Sequence, residues 1–371
     1  MENINKKVEQ FEMYMDSIQK EKNFIGTTVA ITYGNELIYA KGFGNARVET
    51  KQKLTPNTIM SIQSITKSFA AASIMYLVER GLLKLDSPLV DYLPYFQTSN
   101  KTESDNITVR QLLSHTAGLP GDLAMANLIS PNRKEVLGFT EWQEEVGITD
   151  EEIEQINSLE DITRHFKHVD LAYVPGDRWM YCTDAYAIVG DLFEKVSGET
   201  WSEHIQQNLF NNLEMTRSTL DPEIAKGDLD SSRYYIENEQ TAFPTNPIAA
   251  PIGFIYSSAI DMAKYLAASM GEKEGSFLSI DSLKEMQKPF PNVEVTLPFN
   301  DVTDNGYGLG WGSCQYKGLT LIEHGGGYTG VRTWVSMVPN EKVGIVVLSN
   351  YQESNAREIA MRGIDIFLDL L

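Results

Sequence analysis

The 371-residue sequence has only two cysteines and five histidines, and its 31 lysines and arginines are outnumbered by 51 aspartates and glutamates. Cys182 and Cys314 are too few for a disulfide framework and too far apart for a zinc pattern, so both are expected as reduced, buried thiols. The net charge of −20 disfavours nucleic acid or an anionic membrane surface as the main partner, since phosphates would be repelled. Long apolar runs are also missing. The longest, around Phe69 to Val78, is about half of the ~20 residues a spanning helix needs. The chain opens Met-Glu-Asn-Ile-Asn-Lys-Lys with no apolar signal segment behind the charges, which makes a cytoplasmic location the expectation. It contains no phosphate loop, dinucleotide fingerprint or Gly-x-Ser-x-Gly elbow, so nucleotide cofactors and a doubly wound α/β-hydrolase fold are disfavoured. His165 and His168 share a helix face, but no third metal ligand is in view and a solvated face is preferred. Neither a metal nor a cofactor is expected.

What is present is enough apolar material for a substantial core: 42% of the residues are hydrophobic and 10% are aromatic. The length suggests two lobes. The first ~22 residues alternate charge with apolar residues at helical spacing. Two β-rich runs, Thr27 to Tyr33 and Glu36 to Gly42, flank Gly34-Asn35 and signal a hairpin. At the far end Leu319 to Glu323, Val331 to Val338 and Val343 to Ser349 read as three strands, with a Pro339-Asn340 turn before the last and a helix from about Ala356. Between the ends the pattern is helical: Ser64 to Arg80, stopping at Gly81, then Thr108 to Leu113, Ala185 to Val196, Trp201 to Leu209 and Asp261 to Ser269. The expected class is α+β. A five-stranded antiparallel sheet flanked by the terminal helices would come from residues 1–60 and 290–371, with a mostly helical lobe, 61–289, inserted between.

Ser64-Ile-Thr-Lys67 is the sharpest chemical feature. Positions i and i+3 share a helix face, so the Lys67 amine can reach the Ser64 hydroxyl. A serine hydroxyl is a weak nucleophile until a neighbouring base takes its proton. A lysine can be that base when burial and nearby positive dipoles lower its pKa from ~10.4. At a helix start the Ser64 N–H is also unsatisfied and available to an oxyanion. Ser17-Ile-Gln-Lys20 has the same spacing, but it lies in the charged N-terminal helix, where its lysine would be solvated and protonated. Only Ser64 heads a buried apolar helix.

With its surroundings, this motif resembles the serine β-lactamase and penicillin-binding-protein superfamily, in the class C-like branch that also holds D-peptidases, D-aminopeptidases and family VIII esterases. The resemblance covers about Gly26 to the C-terminus. It rests on Thr58 to Lys67, on Leu85 to Pro94 and Ile107 to Pro120, on Pro175 to Tyr181, and on Glu323-His-Gly-Gly-Gly327. It implies a serine β-lactamase-like fold and an acyl-enzyme mechanism without cofactors, with Ser64, Lys67 and Tyr181 as the catalytic groups. It assigns Tyr181 to proton transfer and pairs the Gly327 N–H with that of Ser64 as an oxyanion hole. His324-Gly325-Gly326 stands where penicillin-recognising members usually carry Lys-Thr-Gly. A histidine is largely neutral at pH 7, so the anchor for a substrate carboxylate is weakened, and Arg332 is a candidate to replace the charge. The branch's Tyr-x-Asn reads Tyr181-Cys182-Thr183 here, and a threonine hydroxyl makes a weaker substrate contact than an amide.

These departures point towards carboxylic esters or small peptide-like amides, including D-amino-acid derivatives, ahead of efficient β-lactam turnover. The alternatives are a penicillin-binding protein or β-lactamase with slow turnover, an acyltransferase, and a non-catalytic ligand-binding homologue. The expected partner is thus a small-molecule ester, amide or β-lactam, lining up with Thr183, His324, Gly325, Gly326 and Gly327. His115, in Leu-Leu-Ser-His-Thr, reads as structural, its ring satisfying loop backbone. Residues 121–170 carry 12 acidic against 4 basic side chains, read either as a solvated face or as an acidic lid over the cleft.

Overall fold

Residues 2–21, 24–121, 123, 125–135, 139–272, 277–296 and 299–369 are described in a computed structural model. Both ends of the chain contribute to one antiparallel sheet. Numbered in chain order, its strands are β1 (Gly26–Tyr33), β2 (Glu36–Arg47), β3 (Gln52–Lys53), β4 (Thr303–Tyr307), β5 (Gly312–Tyr316), β6 (Leu319–Tyr328), β7 (Val331–Val338) and β8 (Val343–Ser349). Their spatial order is β3-β2-β1-β8-β7-β6-β5-β4. The five expected strands are all present, and the sheet is wider than expected by three. β3 is too short to show alternation. β4 and β5 read Thr-Asp-Asn-Gly-Tyr and Gly-Ser-Cys-Gln-Tyr, too polar and glycine-bearing to resemble strands in isolation.

The sheet closes where β1 meets β8, with Thr27 opposite Ser349 and Tyr33 opposite Val343. Both faces of this central pair are covered, which is why β8 reads as an unbroken apolar run. Side chains alternate between the faces. Val29, Ile31, Ile345 and Val347 pack with Phe11 and Met15 of α1 (Glu2–Ile18) and with Ile359 and Ile364 of the C-terminal helix Ala356–Phe367. Ala30, Val346 and Leu348 face the other core, which contains Phe69 of α2 (Thr66–Glu79) and much of the helical region.

α2 is buried along most of its length, so its apolar residues occupy every face rather than a stripe. It starts two residues later than expected, after a 3₁₀ turn at Gln63–Ile65, and ends where Gly81 adopts φ +70°. Phe69 stacks on Tyr265 at 3.7 Å between ring centroids, and Trp201 Nε1 donates to Ser73 Oγ at 3.1 Å. α3 (Ala185–Ser197) packs beside α2. The Trp201 helix is α-helical only to His204 and continues as a π-helix over Ile205–Phe210. Within 121–170, Ile153, Leu159, Ile162 and Phe166 are buried in the same core as α2 and α3. Both cysteines are buried thiols. Among the described residues, no helix is long and apolar enough to cross a membrane.

Candidate active site

The backbone turns sharply immediately before Ser64. Gln63 has φ +51°, a left-handed conformation uncommon outside glycine, and its buried side chain donates to Ser61 Oγ at 2.6 Å. This turn delivers Ser64 to the head of α2. One helical turn on, Lys67 is completely buried, and its Nζ lies 3.0 Å from Ser64 Oγ. Nζ also donates to the Ile252 carbonyl at 2.7 Å, and it lies over the rings of Tyr181 (5.2 Å) and Tyr186 (5.6 Å). Ser17, by contrast, donates to the Tyr14 carbonyl within α1, and no Ser–Lys pairing forms there among the described residues.

Tyr181 stands in an aromatic group with His115, Trp179, Tyr307 and His324, the His115 ring being nearest at 4.2 Å. His324 is held at both nitrogens. Nδ1 donates to the Gly325 carbonyl at 2.7 Å, which leaves Nε2 to accept from the Tyr307 hydroxyl at 2.9 Å. Burial, reinforced by the Lys67 charge, pushes the His324 pKa down to about 3. It is therefore a neutral ring at physiological pH and supplies no cation to a substrate carboxylate.

The glycines after His324 bring β6 against the nucleophile turn. A Cβ on Gly325 would enter the Trp334 ring, and one on Gly326 would collide with the Ile62 carbonyl and Thr333 Oγ1. β5 pairs with β6 only from Leu319 to Glu323. From His324 to Tyr328 the strand is paired on the β7 side, and among the described residues its other edge has no strand partner. That free edge, Ser64, Tyr181 and Tyr307 all line one cavity of about 480 Å³, within the size range of small-molecule sites. Thr183 does not line it; this residue sits at the entry to α3, where its carbonyl accepts from the Tyr186 N–H.

The far end of the cavity was not evident from the sequence. Phe299, Trp334, Glu323 and Arg357 line it. The Arg357 guanidinium lies 3.9 Å from the Phe299 ring centroid and pairs through Nη1 with Asp301 at 3.0 Å. Its Nε and Nη2 are buried and make no hydrogen bond among the described residues. Burial pushes the Glu323 carboxyl upward, opposed by Arg357 and by the Trp334 indole N–H at 3.2 Å. Arg332, the sequence-based candidate for a substitute cation, also lines the cavity, but its Nη1 is engaged by the Tyr328 and Val331 carbonyls. Among the described residues, no group of three or more His, Cys, Asp or Glu is arranged to hold a metal.

The cavity thus holds a serine against a buried lysine, beneath the open edge of an antiparallel sheet. The Beta-lactamase family matches residues 11–366, and the chain belongs to that family. It is 22% identical to Protein flp of Staphylococcus aureus (strain COL) over 350 residues, which is 93% of this chain and 64% of the relative's length. It is 23% identical to Penicillin-binding protein 4* of Bacillus subtilis (strain 168) over 353 residues, covering 92% of this chain and 71% of that protein. Among solved structures, an octameric penicillin-binding protein homologue from Pyrococcus abyssi superposes with a TM-score of 0.81 at 27% identity, covering 98% of this chain and 77% of that one. A class C β-lactamase superposes at 0.75 with 19% identity, covering 97% of this chain and 96% of that one. The fold is therefore serine β-lactamase-like.

Proposed function

We propose that the protein is a serine hydrolase that works through an acyl-enzyme on carboxylic esters or small peptide-like amides, including D-amino-acid derivatives. The observation that carries this reading is the fully buried Lys67 amine 3.0 Å from the Ser64 hydroxyl at the wall of the cavity. In its neutral form Lys67 accepts the Ser64 proton while Oγ attacks the substrate carbonyl. The N–H groups of Ser64 and Gly327 stabilise the resulting oxyanion, each such donor being worth about 2.7–4 kcal/mol in the transition state. The proton passes by way of Tyr181 to the departing alkoxide or amine. Water then attacks the acyl-enzyme, and its proton returns along the same groups as Ser64 is released. Gly325 and Gly326 let the strand edge lie along the substrate, and His324 orients Tyr307 beside Tyr181.

The test is active-site labelling. A fluorophosphonate should modify the wild-type protein and Ser17→Ala but not Ser64→Ala; labelling that survives Ser64→Ala would remove Ser64 as the nucleophile. Intact-mass measurement after exposure to p-nitrophenyl esters, D-amino-acid amides and a penicillin then identifies the acyl class by the mass added.

A second reading, slow acylation by β-lactams, is favoured by Arg357. Its guanidinium lines the cavity, paired with Asp301 through Nη1 and 3.8 Å from Glu323 through Nε, and a substrate carboxylate that displaced one of these acids would find there the cation that His324 cannot supply.

A further inference from the structure

His115 is absent from the cavity lining, yet it holds the chain on both sides of Tyr181. Its carbonyl accepts from the Met180 N–H at 2.9 Å. Its Nδ1 accepts from the Cys182 N–H at 3.2 Å, and its ring packs on the Tyr181 ring between these two contacts. The following residues extend the brace, since the Thr116 carbonyl accepts from Gly176 N–H at 2.7 Å and the Gly118 carbonyl from Ala172 N–H at 2.8 Å. The 115–118 segment thus fastens the loop that delivers Tyr181.

The tautomer follows from these contacts. Nδ1 accepts, so the proton of the neutral ring sits on Nε2, which is buried and has no hydrogen-bond partner among the described residues. Burial and the nearby Lys67 and His324 hold the ring neutral, which preserves the Nδ1 lone pair. A phenylalanine would fill the same space without burying an unsatisfied N–H. What histidine alone supplies here is the acceptor for the Cys182 amide. The backbone at residue 115 is left-handed, at φ +58°, a conformation that asparagine also tolerates.

We propose that His115 is a positioning residue for Tyr181, fixing the phenol relative to Ser64 and Lys67 by gripping the amides on either side of it. The proposal rests on the proton-transfer role assigned to Tyr181 above. A double-mutant cycle with p-nitrophenyl butyrate, supported by hydrogen exchange, tests it. His115→Phe keeps a ring and removes the acceptor, and is expected to lower kcat by about 10- to 100-fold with KM little changed. His115→Asn keeps an acceptor near the Nδ1 position and should recover most of that loss. In a Tyr181→Phe background, His115→Phe should cost less than about 2-fold, because the group it positions is already gone. Exchange of the Cys182 amide should speed up by about 10-fold in His115→Phe and be largely restored in His115→Asn. Unchanged Cys182 exchange in His115→Phe would overturn the proposal, and so would a loss of kcat that persists in full without the Tyr181 hydroxyl. If Tyr181→Phe itself turns over at the wild-type rate, the role of Tyr181 fails, and the positioning proposal with it. If Tyr181→Phe is slow but His115→Phe is not, the positioning proposal alone is refuted.

Discussion

Gly326→Ala isolates the contact between the β6 edge and the nucleophile turn. The new methyl would sit 2.9 Å from Gln63 Cβ and nearer still to the Ile62 carbonyl and Thr333 Oγ1, inside the 3.0 Å that real Cβ contacts essentially never breach. Gln63 and Ile62 are the two residues immediately before Ser64, so relief must move the strand and the nucleophile apart. Overpacking of this kind costs about 1–3 kcal/mol of stability, which a domain with about 5–15 kcal/mol in hand survives. The kinetic cost is larger in effect. A misplacement of about 1 Å lowers the rate by about 10²-fold, equivalent to about 2.7 kcal/mol of transition-state stabilisation. Gly227→Ala is the control. Nothing lies within 4 Å of its added methyl, and it does not line the cavity. Steady-state hydrolysis of a p-nitrophenyl ester should therefore show Gly326→Ala slowed by about two orders of magnitude, with Gly227→Ala within about 2-fold of wild type. Thermal melts of both variants report the accompanying stability change. Wild-type turnover in Gly326→Ala, or equal losses in both variants, would refute the argument that this glycine sets the distance between strand and serine.

Two further outcomes follow from buried charge. Burial and the Lys67 charge hold the folded-state pKa of His324 near 3, against the usual 6.5, and His115 is also held well below 6.5. As pH falls through 6.5 the unfolded chain takes up protons that the native state does not, so stability present at neutral pH declines from about 6.5 towards 3. Urea denaturation at neutral and mildly acidic pH should show this slope, and His324→Gln should flatten it; an identical slope in the variant would place the linkage elsewhere. For Arg357→Leu, penicillin acylation followed by intact mass should slow by about 10-fold or more, through loss of a charged hydrogen-bond donor. Hydrolysis of neutral p-nitrophenyl esters should change much less. Equal losses with both substrates would mean that Arg357 supports the fold and not a substrate carboxylate.

Much of the architecture is legible because its determinants are local. The terminal strands alternate or run apolar, α2 stops at a glycine suited to a left-handed cap, and Ser258 accepts from the Asp261 N–H at the start of Ala259–Ser269, a cap of purely local origin. β4 and β5 escape notice because pairing, β5 with β6 and β4 with β5, and not their own composition, makes them strands. The Ser64–Lys67 contact is readable from a three-residue spacing. The carbonyl of Ile252, 185 residues away, is not, nor is the hydroxyl of Tyr307 that holds His324. Arg357 looks like one more charge near a helix start until Phe299, Asp301 and Glu323 fold around it. His115 sits in a motif that could be recognised, but its grip on both neighbours of Tyr181 exists only in three dimensions.

The pairing of β1 with β8 also sets an order of events during synthesis. Thr27 and Ser349 face each other although they stand 322 positions apart in the chain. At translation rates of about 5–20 residues per second, the first hairpin waits on the order of 15–60 s for the strand that completes its sheet. During that interval β1, buried on both faces in the finished fold, presents an uncovered edge, the kind of surface that invites mispairing with other chains. The nascent chain is thus most exposed to aggregation before its last strand emerges, and truncations that remove β8 should behave as chaperone clients and not as smaller versions of the enzyme.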